Sequence, residues 1–165
     1  MKYIKYVKYI IVFILGIISG SNIMNYYNKK ELKKIKIENT KNIQILTFLN
    51  NWLIMYQMKK NMVPYIEYMN YKNIAIYGMG VLGQRLYDEL EGTSVNVAYA
   101  IDQNAVNIRD LVDIKCPSDV LEEVDAVIVT SLYYYEEIKQ AMKKKMNCPV
   151  ISISDCLAPE FSKLA

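Results

Sequence analysis

The sequence predicts an α/β domain built on a short parallel sheet with helices on both faces, preceded by an N-terminal transmembrane helix and an amphipathic helix. Three observations carry that prediction. Short apolar runs alternate with helical patterns from Asn73 onward. A glycine-rich turn, Gly78 to Gly83, separates the first apolar run from the first of these helices. The N-terminus holds sixteen consecutive residues without a charge, Tyr9 to Met24.

That uncharged stretch makes a helix of about 24 Å, against a bilayer core of about 30 Å. Tyr3, Ile4, Tyr6 and Val7 lengthen it, because Lys2, Lys5 and Lys8 can snorkel and tyrosine suits the interface. A membrane anchor over residues 1–24 is the leading reading. A secretory signal peptide shares the basic start and apolar run, with Ser19 to Ser21 as its small-residue site. A buried helix of the soluble domain fits least, since the run is apolar all round and flanked by lysines. After the span come Lys29, Lys30, Lys33, Lys34, Lys36 and Lys41; before it, only Lys2, Lys5, Lys8 and the amino terminus. The positive-inside rule then puts the folded part in the cytoplasm, with juxtamembrane lysines near anionic headgroups.

Residues 25–72 read as a basic connector and an amphipathic helix. Asn25 to Thr40 is polar, lysine-rich and partly helical in pattern. Ile45, Leu49, Trp52, Leu53 and Tyr56 then recur at helical spacing and need a surface to cover, either the following domain or a second copy of the chain. Pro64 opens a short turn or helix.

Residues 73–165 read as the α/β domain. Strands are expected at Ile74 to Tyr77, Val95 to Ile101, Val112 to Lys115, Ala126 to Thr130 and Val150 to Ile153. Helices are expected at Val81 to Glu91, with Gly92 as its cap, at Pro117 to Glu123, and at Tyr134 to Lys145. A loop or poorly formed helix should fill the stretch up to Asp110.

Composition removes several kinds of chemistry. There is no histidine, which removes the commonest general base and the commonest metal ligand. Cys116, Cys148 and Cys156 are far apart and form no C-x-x-C, so reduced structural thiols are expected and no metal site. Up to Lys72 twelve lysines face three glutamates; from Asn73, eight basic residues face fourteen acidic ones. An acidic folded part argues against a grip on nucleic acid.

Gly78, Gly80 and Gly83 spell G-x-G-x-x-G between a strand and a helix start, the pattern of a Rossmann-like nucleotide-binding turn. Gly78 permits the tight turn, Gly80 lets backbone approach a phosphate, and Gly83 lets helix pack on strand. Asp102, at the end of the next strand, stands where a carboxylate accepts from ribose hydroxyls. Thr130 and Ser131 end a central strand on the carboxyl edge, where such sheets bind ligands. The candidate binding set is therefore Gly78, Met79, Gly80, Val81, Leu82, Gly83, Asp102, Thr130 and Ser131. The bland alternatives are glycines that serve packing alone and hydroxyls that cap the next helix. Tyr135 and Lys139 match the Y-x-x-x-K of short-chain dehydrogenases, but they follow the glycine turn too soon to leave room for a substrate region. No catalytic residue is assigned.

The segments "IAIYGMGVLG", "VAYAIDQNA", "VDAVIVTS" and "CPVISISD" resemble the small Rossmann-like domains of bacterial surface-polysaccharide gene clusters, described as nucleoside-diphosphate-sugar epimerase-like. Similar units form the N-terminal domain of sugar acyltransferases and the C-terminal domain of sugar C-methyltransferases. The resemblance covers about Tyr71 to Leu157. It implies a nucleotide-type ligand, a UDP-sugar or NAD with CoA as a third candidate, contacted by Gly78, Gly80, Gly83 and Asp102. It also implies work beside a glycan-assembly enzyme, with the chain a binding module that lacks a catalytic half. The expectation is thus a membrane-anchored nucleotide-sugar-binding module, with a homo-oligomer as a further expected state. Two alternatives stand beside it: a component of an NAD-dependent sugar epimerase or reductase that needs a partner chain, and a scaffold that binds nothing.

Overall fold

The computed structural model describes residues 2–103 and 112–161; of these, the side chains of residues 2–12, 14, 15, 18 and 158–161 lie outside the description. The loop expected up to Asp110 therefore falls outside the described residues. Two compact units divide the chain, Met1–Asn42 and Ile43–Ala165.

Helix α1 (Lys2–Gln57) supplies all the described residues of the first unit. The connector expected at Asn25 to Thr40 is therefore continuous helix, with no proline to stop it and glycines only at Gly16 and Gly20. None of its described side chains up to Asn42 is buried. Among the described residues no helix is long and apolar enough to cross a membrane. Much of the expected span, including Tyr9 to Val12, Ile14, Leu15 and Ile18, lies among the side chains outside the description.

In the second unit, strands β1 (Asn73–Tyr77), β2 (Asn96–Ile101), β3 (Ile114–Lys115), β4 (Ala126–Val129) and β5 (Val150–Ser152) form one parallel sheet. Their order is β3-β2-β1-β4-β5. Runs such as Ala126–Val129 are buried along their whole length, as strands covered on both faces must be. β1 pairs with β2 through Tyr77 opposite Ile101, and with β4 through Tyr77 opposite Val129, so three strand ends finish level.

Side-chain alternation splits the core in two. Ile74, Ile76, Ala100, Ala126 and Ile128 face one layer, which holds the end of α1, α2 (Val63–Tyr68), α3 (Val81–Leu90) and α5 (Ile153–Phe161). Ala75, Tyr77, Tyr99, Ile101, Val127 and Val129 face the other, with Met142 from α4 (Tyr135–Met142) and Met146 beyond it.

Several expectations need correction; among them, β3 begins at Ile114 and not at Val112, and β4 ends at Val129 and not at Thr130. No helix forms at Pro117 to Glu123. The Asp119 carboxylate accepts from Cys116 N–H at 2.7 Å and closes a turn, and the Glu122 carbonyl accepts from the Tyr99 hydroxyl at 2.6 Å. Backbone groups that a helix would use are thus satisfied elsewhere. On α1 the buried stripe is Phe48, Trp52 and Met55, with Leu53 and Tyr56 exposed, so the covered face is rotated from the one expected. The fourth helix is shorter than Tyr134 to Lys145, ending at Met142 in a tight turn that reaches Met146. Finally, β5 stops at Ser152, because that residue caps α5. Ser154 N–H donates to Ser152 Oγ at 3.2 Å, and Ser152 N–H donates to Asp155 Oδ2 at 2.9 Å. This reciprocal pair is a capping box, written in the sequence as S-I-S-D.

Candidate functional site

The strand order reverses direction between β1 and β4, and the carboxyl ends of such neighbours leave a crevice where open α/β sheets take ligands. A cleft of about 550 Å³ lies there, lined by Tyr77 at the end of β1 and Gly78 after it, Asp102 and Gln103 after β2, and Ser131 after β4. Tyr134, Glu137, Ile138 and Ala141 of the α4 region close its other side.

The glycine turn is held from several directions. Gly78 has φ +95°, a left-handed conformation that disfavours any side chain, and a Cβ there would come within 2.9 Å of Thr130 Oγ1. Its N–H donates to the Ile101 carbonyl at 2.8 Å. The Thr130 hydroxyl donates to the Gly78 carbonyl at 2.5 Å, with the Tyr77 carbonyl 3.1 Å away. A Cβ on Gly83 would lie 2.0 Å from the Gly78 carbonyl oxygen, so the first turn of α3 packs directly on the loop. Met79 N–H donates to Asp102 Oδ2 at 2.7 Å, and the Gln84 side chain reaches the Met79 carbonyl at 3.0 Å.

Gly80 differs from the other two. Its φ is −69°, open to any residue, and a Cβ there meets nothing within 4 Å. It is the N-cap of α3 and is exposed. The N–H groups of the helix's first turn have no partner within the helix itself, and the helix dipole favours an anion beside them.

The expected binding residues thus separate by role. Gly78, Asp102 and Ser131 meet at the cleft; Gly80, two residues on from Gly78, is the N-cap of α3 and is not among the lining residues. Val81 is 61% exposed on the first turn. Met79 and Leu82 are buried in the core, so only their backbone serves the loop. Gly83 and Thr130 are buried and brace the turn from within. Asp102 has a structural duty as well as a place in the cleft, because its carboxylate anchors Met79.

Sequence reasoning missed Tyr77, Gln103, Tyr134, Glu137, Ile138 and Ala141. The last four had a legible signal, the i, i+3, i+4, i+7 spacing of one helix face. Tyr77 is set by strand alternation; burial raises the pKa of its hydroxyl, the Asp102 charge adds to this, and a hydrogen bond with Gln103 opposes it. Tyr135 and Lys139 stand outside the cleft. The Tyr135 hydroxyl donates to the Val150 carbonyl at 3.2 Å, and Lys139 Nζ lies 4.9 Å from the Tyr135 ring centre.

Chemically, the lining offers two carboxylates, Asp102 and Glu137, with hydroxyl and amide groups from Tyr77, Tyr134, Ser131 and Gln103. Such a set suits a ligand rich in hydroxyl donors, and the helix start beside it suits an anion. No curated protein and no solved structure matches the chain. The family model described as C2185-like, N-terminal, matches residues 69–151, from the turn before β1 into β5, and with half of the 165 residues matched the chain belongs to that family.

Proposed function

We propose that the chain is a membrane-anchored Rossmann-like module that holds a nucleotide or nucleotide-sugar at the carboxyl edge of its sheet, in the service of cell-surface polysaccharide assembly. The observation that carries the reading is Gly80. The fold itself explains Gly78 by its positive φ and Gly83 by its contact with the Gly78 carbonyl. Among the described residues no atom crowds a Cβ at Gly80, whereas a phosphate lying on the backbone of the α3 N-terminus asks for the missing side chain. With the phosphate there, a ribose or sugar falls across the cleft toward Asp102 and Glu137, whose carboxylates accept from its hydroxyls. The uncharged run Tyr9 to Met24 and the lysines around it support the anchor and a cytoplasmic domain.

Calorimetric titration of the full chain in detergent with UDP-sugars, NAD and CoA tests the site. One of them is expected to bind saturably. Gly80→Val should remove that binding while lowering the thermal unfolding midpoint only slightly, since a Cβ there meets nothing within 4 Å and the cost is that of a poorer N-cap. Absence of binding to the wild type at millimolar ligand overturns the reading, and unchanged binding by Gly80→Val overturns the phosphate position. Membrane fractionation of the expressed chain tests the anchor, which requires that alkaline carbonate leave it in the pellet.

A further inference from the structure

Besides the cleft at the carboxyl edge, the second unit holds another cavity of about 550 Å³, where the end of α1, α2 and α5 meet. Lys59, Lys60 and Asn61 line it from the turn after α1, Tyr65 and Tyr68 from α2, and Cys156 from α5. Its volume lies within the range of cavities that hold small organic ligands.

The two cavities are opposite in charge. Asp102 and Glu137 line the cleft, whereas no acidic residue lines this second cavity and two of its residues are lysines. The carboxylates whose charge is felt at Cys156 are turned to other donors. Asp155 accepts from Ser152 N–H, and Glu89 accepts from Trp52 Nε1 and Met62 N–H. Cys156 itself is buried, and burial pushes its thiol up to about 12, with the Asp155 charge adding to this, so it forms a neutral, apolar floor. Asn61 Oδ1 accepts from Val63 N–H at 3.2 Å, which leaves the amide NH2 as the end that a ligand meets. Burial also raises the pKa of the Tyr65 hydroxyl and keeps it a donor. Tyr68 is 85% exposed, a large ring that the core does not use. The walls thus present ammonium, amide and phenol donors around an apolar floor.

Lys59 adds a backbone observation. Its φ is +60°, in the left-handed region. Lys59 N–H donates to the Tyr56 carbonyl at 2.9 Å and Lys60 N–H to the Met55 carbonyl at 3.1 Å, the helix-closing pattern whose left-handed residue is most often glycine. A side chain in that conformation is strained. Lys60 already sets a positive charge beside the helix end, so the helix dipole does not require a second one at Lys59. Strain of this kind collects at ligand sites.

From these observations we infer that the cavity binds a phosphate monoester carried on an aromatic or apolar body. Such a group bears a charge of about −1.5 to −2 at neutral pH, which two lysines match, and its three outer oxygens accept from the amide and the phenols. The body rests on Cys156 beside the tyrosine rings. A soluble aryl phosphate and a lipid that ends in a monoester offer the same chemistry. The site is separate from the carboxyl edge and does not rest on the reading given for it.

Calorimetric titration of the full chain in non-ionic detergent with phenyl phosphate tests the inference. Saturable binding is expected. Lys59→Gly should weaken it by more than about tenfold, the loss of a charge-assisted contact, while the thermal unfolding midpoint holds or rises. Tyr68→Ala should weaken it several-fold with the midpoint unchanged, because the ring is exposed. Gly80→Val should leave it as it is. Phosphatidic acid added to the micelles separates the sources: displacement of phenyl phosphate by it, and not by phosphatidylcholine, assigns the site to a lipid headgroup, and failure to displace assigns it to a soluble ligand. Absence of saturable binding to the wild type overturns the inference, as does unchanged affinity in Lys59→Gly. A lower midpoint in Lys59→Gly overturns it too, since the lysine would then serve the fold. Loss of phenyl phosphate binding in Gly80→Val would place the ligand at the carboxyl edge instead.

Discussion

The two faces of the sheet are built differently. One is covered by four helical segments, the end of α1 with α2, α3 and α5, and its core holds Met55, Met62, Ile66 and Leu86 with almost no exposure. The other is covered by α4 and by the irregular stretch from Cys116 to Asp125. The thick face owes much of its core to residues that precede β1. Among the described residues the thin face leaves one flank open at the carboxyl edge, and the candidate cleft lies there, against Tyr134, Glu137, Ile138 and Ala141. Stability is therefore concentrated on one side of the sheet and access to the cleft on the other.

The most drastic way to break that asymmetry is to cut the chain before β1. A fragment beginning at Asn73 keeps every strand but loses Phe48, Trp52, Met55, Met62, Val63, Ile66 and Tyr71. Losing one buried residue of this size costs about 2–5 kcal/mol, and whole domains are stable by about 5–15 kcal/mol. The fragment is expected to show no cooperative unfolding transition by circular dichroism, whereas one beginning at Ile43 should keep it. A cooperative transition in the shorter fragment would show that the thick face does not depend on the upstream helices.

A single polar tie holds that face next. Glu89 of α3 accepts from Trp52 Nε1 at 2.5 Å and from Met62 N–H at 2.7 Å, joining three helical segments through one carboxylate. Hydrogen bonds to a charged group contribute about 1.5–3 kcal/mol each, and buried donors left without a partner cost more. Glu89→Ala is expected to lower stability by about 2–4 kcal/mol in denaturant titration. A loss under about 1 kcal/mol would mean that packing alone seats Trp52.

The thin face has a weaker counterpart. Tyr99 is buried in the core, and its hydroxyl holds the Glu122 carbonyl at 2.6 Å, tying the irregular stretch to the sheet. Tyr99→Phe should cost about 1 kcal/mol at neutral pH. Burial pushes the Tyr99 hydroxyl up to about 12 from 10.0, with the nearby Glu122 charge adding to the effect. The unfolded phenol then ionises first as pH rises, so the contribution of Tyr99 is complete below pH 10 and is lost between 10 and about 12. Tyr65, Tyr71 and Tyr77 are raised as well and act in both proteins. The difference between wild type and Tyr99→Phe isolates the one group, and it should narrow across that window. A constant difference would place the effect in packing instead of the hydroxyl.

How much of this was legible differs between the faces. The strands and α3 follow from local pattern, since continuous apolar runs and a glycine turn act within a few residues of themselves. Gly78 and Gly83 could be assigned to the turn because the backbone demands on them are local. The failures are tertiary. The stretch after Pro117 has helical composition, but Tyr99 and Asp119 take up its backbone groups, and one of these partners lies far off in sequence. The covered side of α1 depends on where α3 presents Glu89, which no spacing within α1 encodes. At the site, Asp102 was found by its place at a strand end, but its bond to Met79 and the tyrosine–glutamate wall of α4 needed the sheet to be assembled.

The smallest expected effect lies at the amino edge, where the segment that serves the thick face enters β1. Asp125 accepts from both Lys72 N–H, at 2.8 Å, and Asn73 N–H, at 2.7 Å, so one carboxylate fixes the start of β1 beside β4. These two bonds, Asn73 first, hold its pKa below the ordinary 3.8, with the Lys72 charge a lesser cause. A carboxylate lowered in this way stabilises the fold above the unfolded value, and that contribution disappears as pH falls through the lower folded value. Asp125→Asn keeps an acceptor but not the charge. Because the group is exposed and screened, the loss at neutral pH should stay below about 1 kcal/mol. The two proteins should then converge in stability as pH falls below 3.8, since protonated Asp125 and asparagine are alike in charge. Urea titrations at a series of acid pH values measure the gap. A gap that persists below the folded pKa would mean that the side chain's shape, and not its charge, seats β1 against β4.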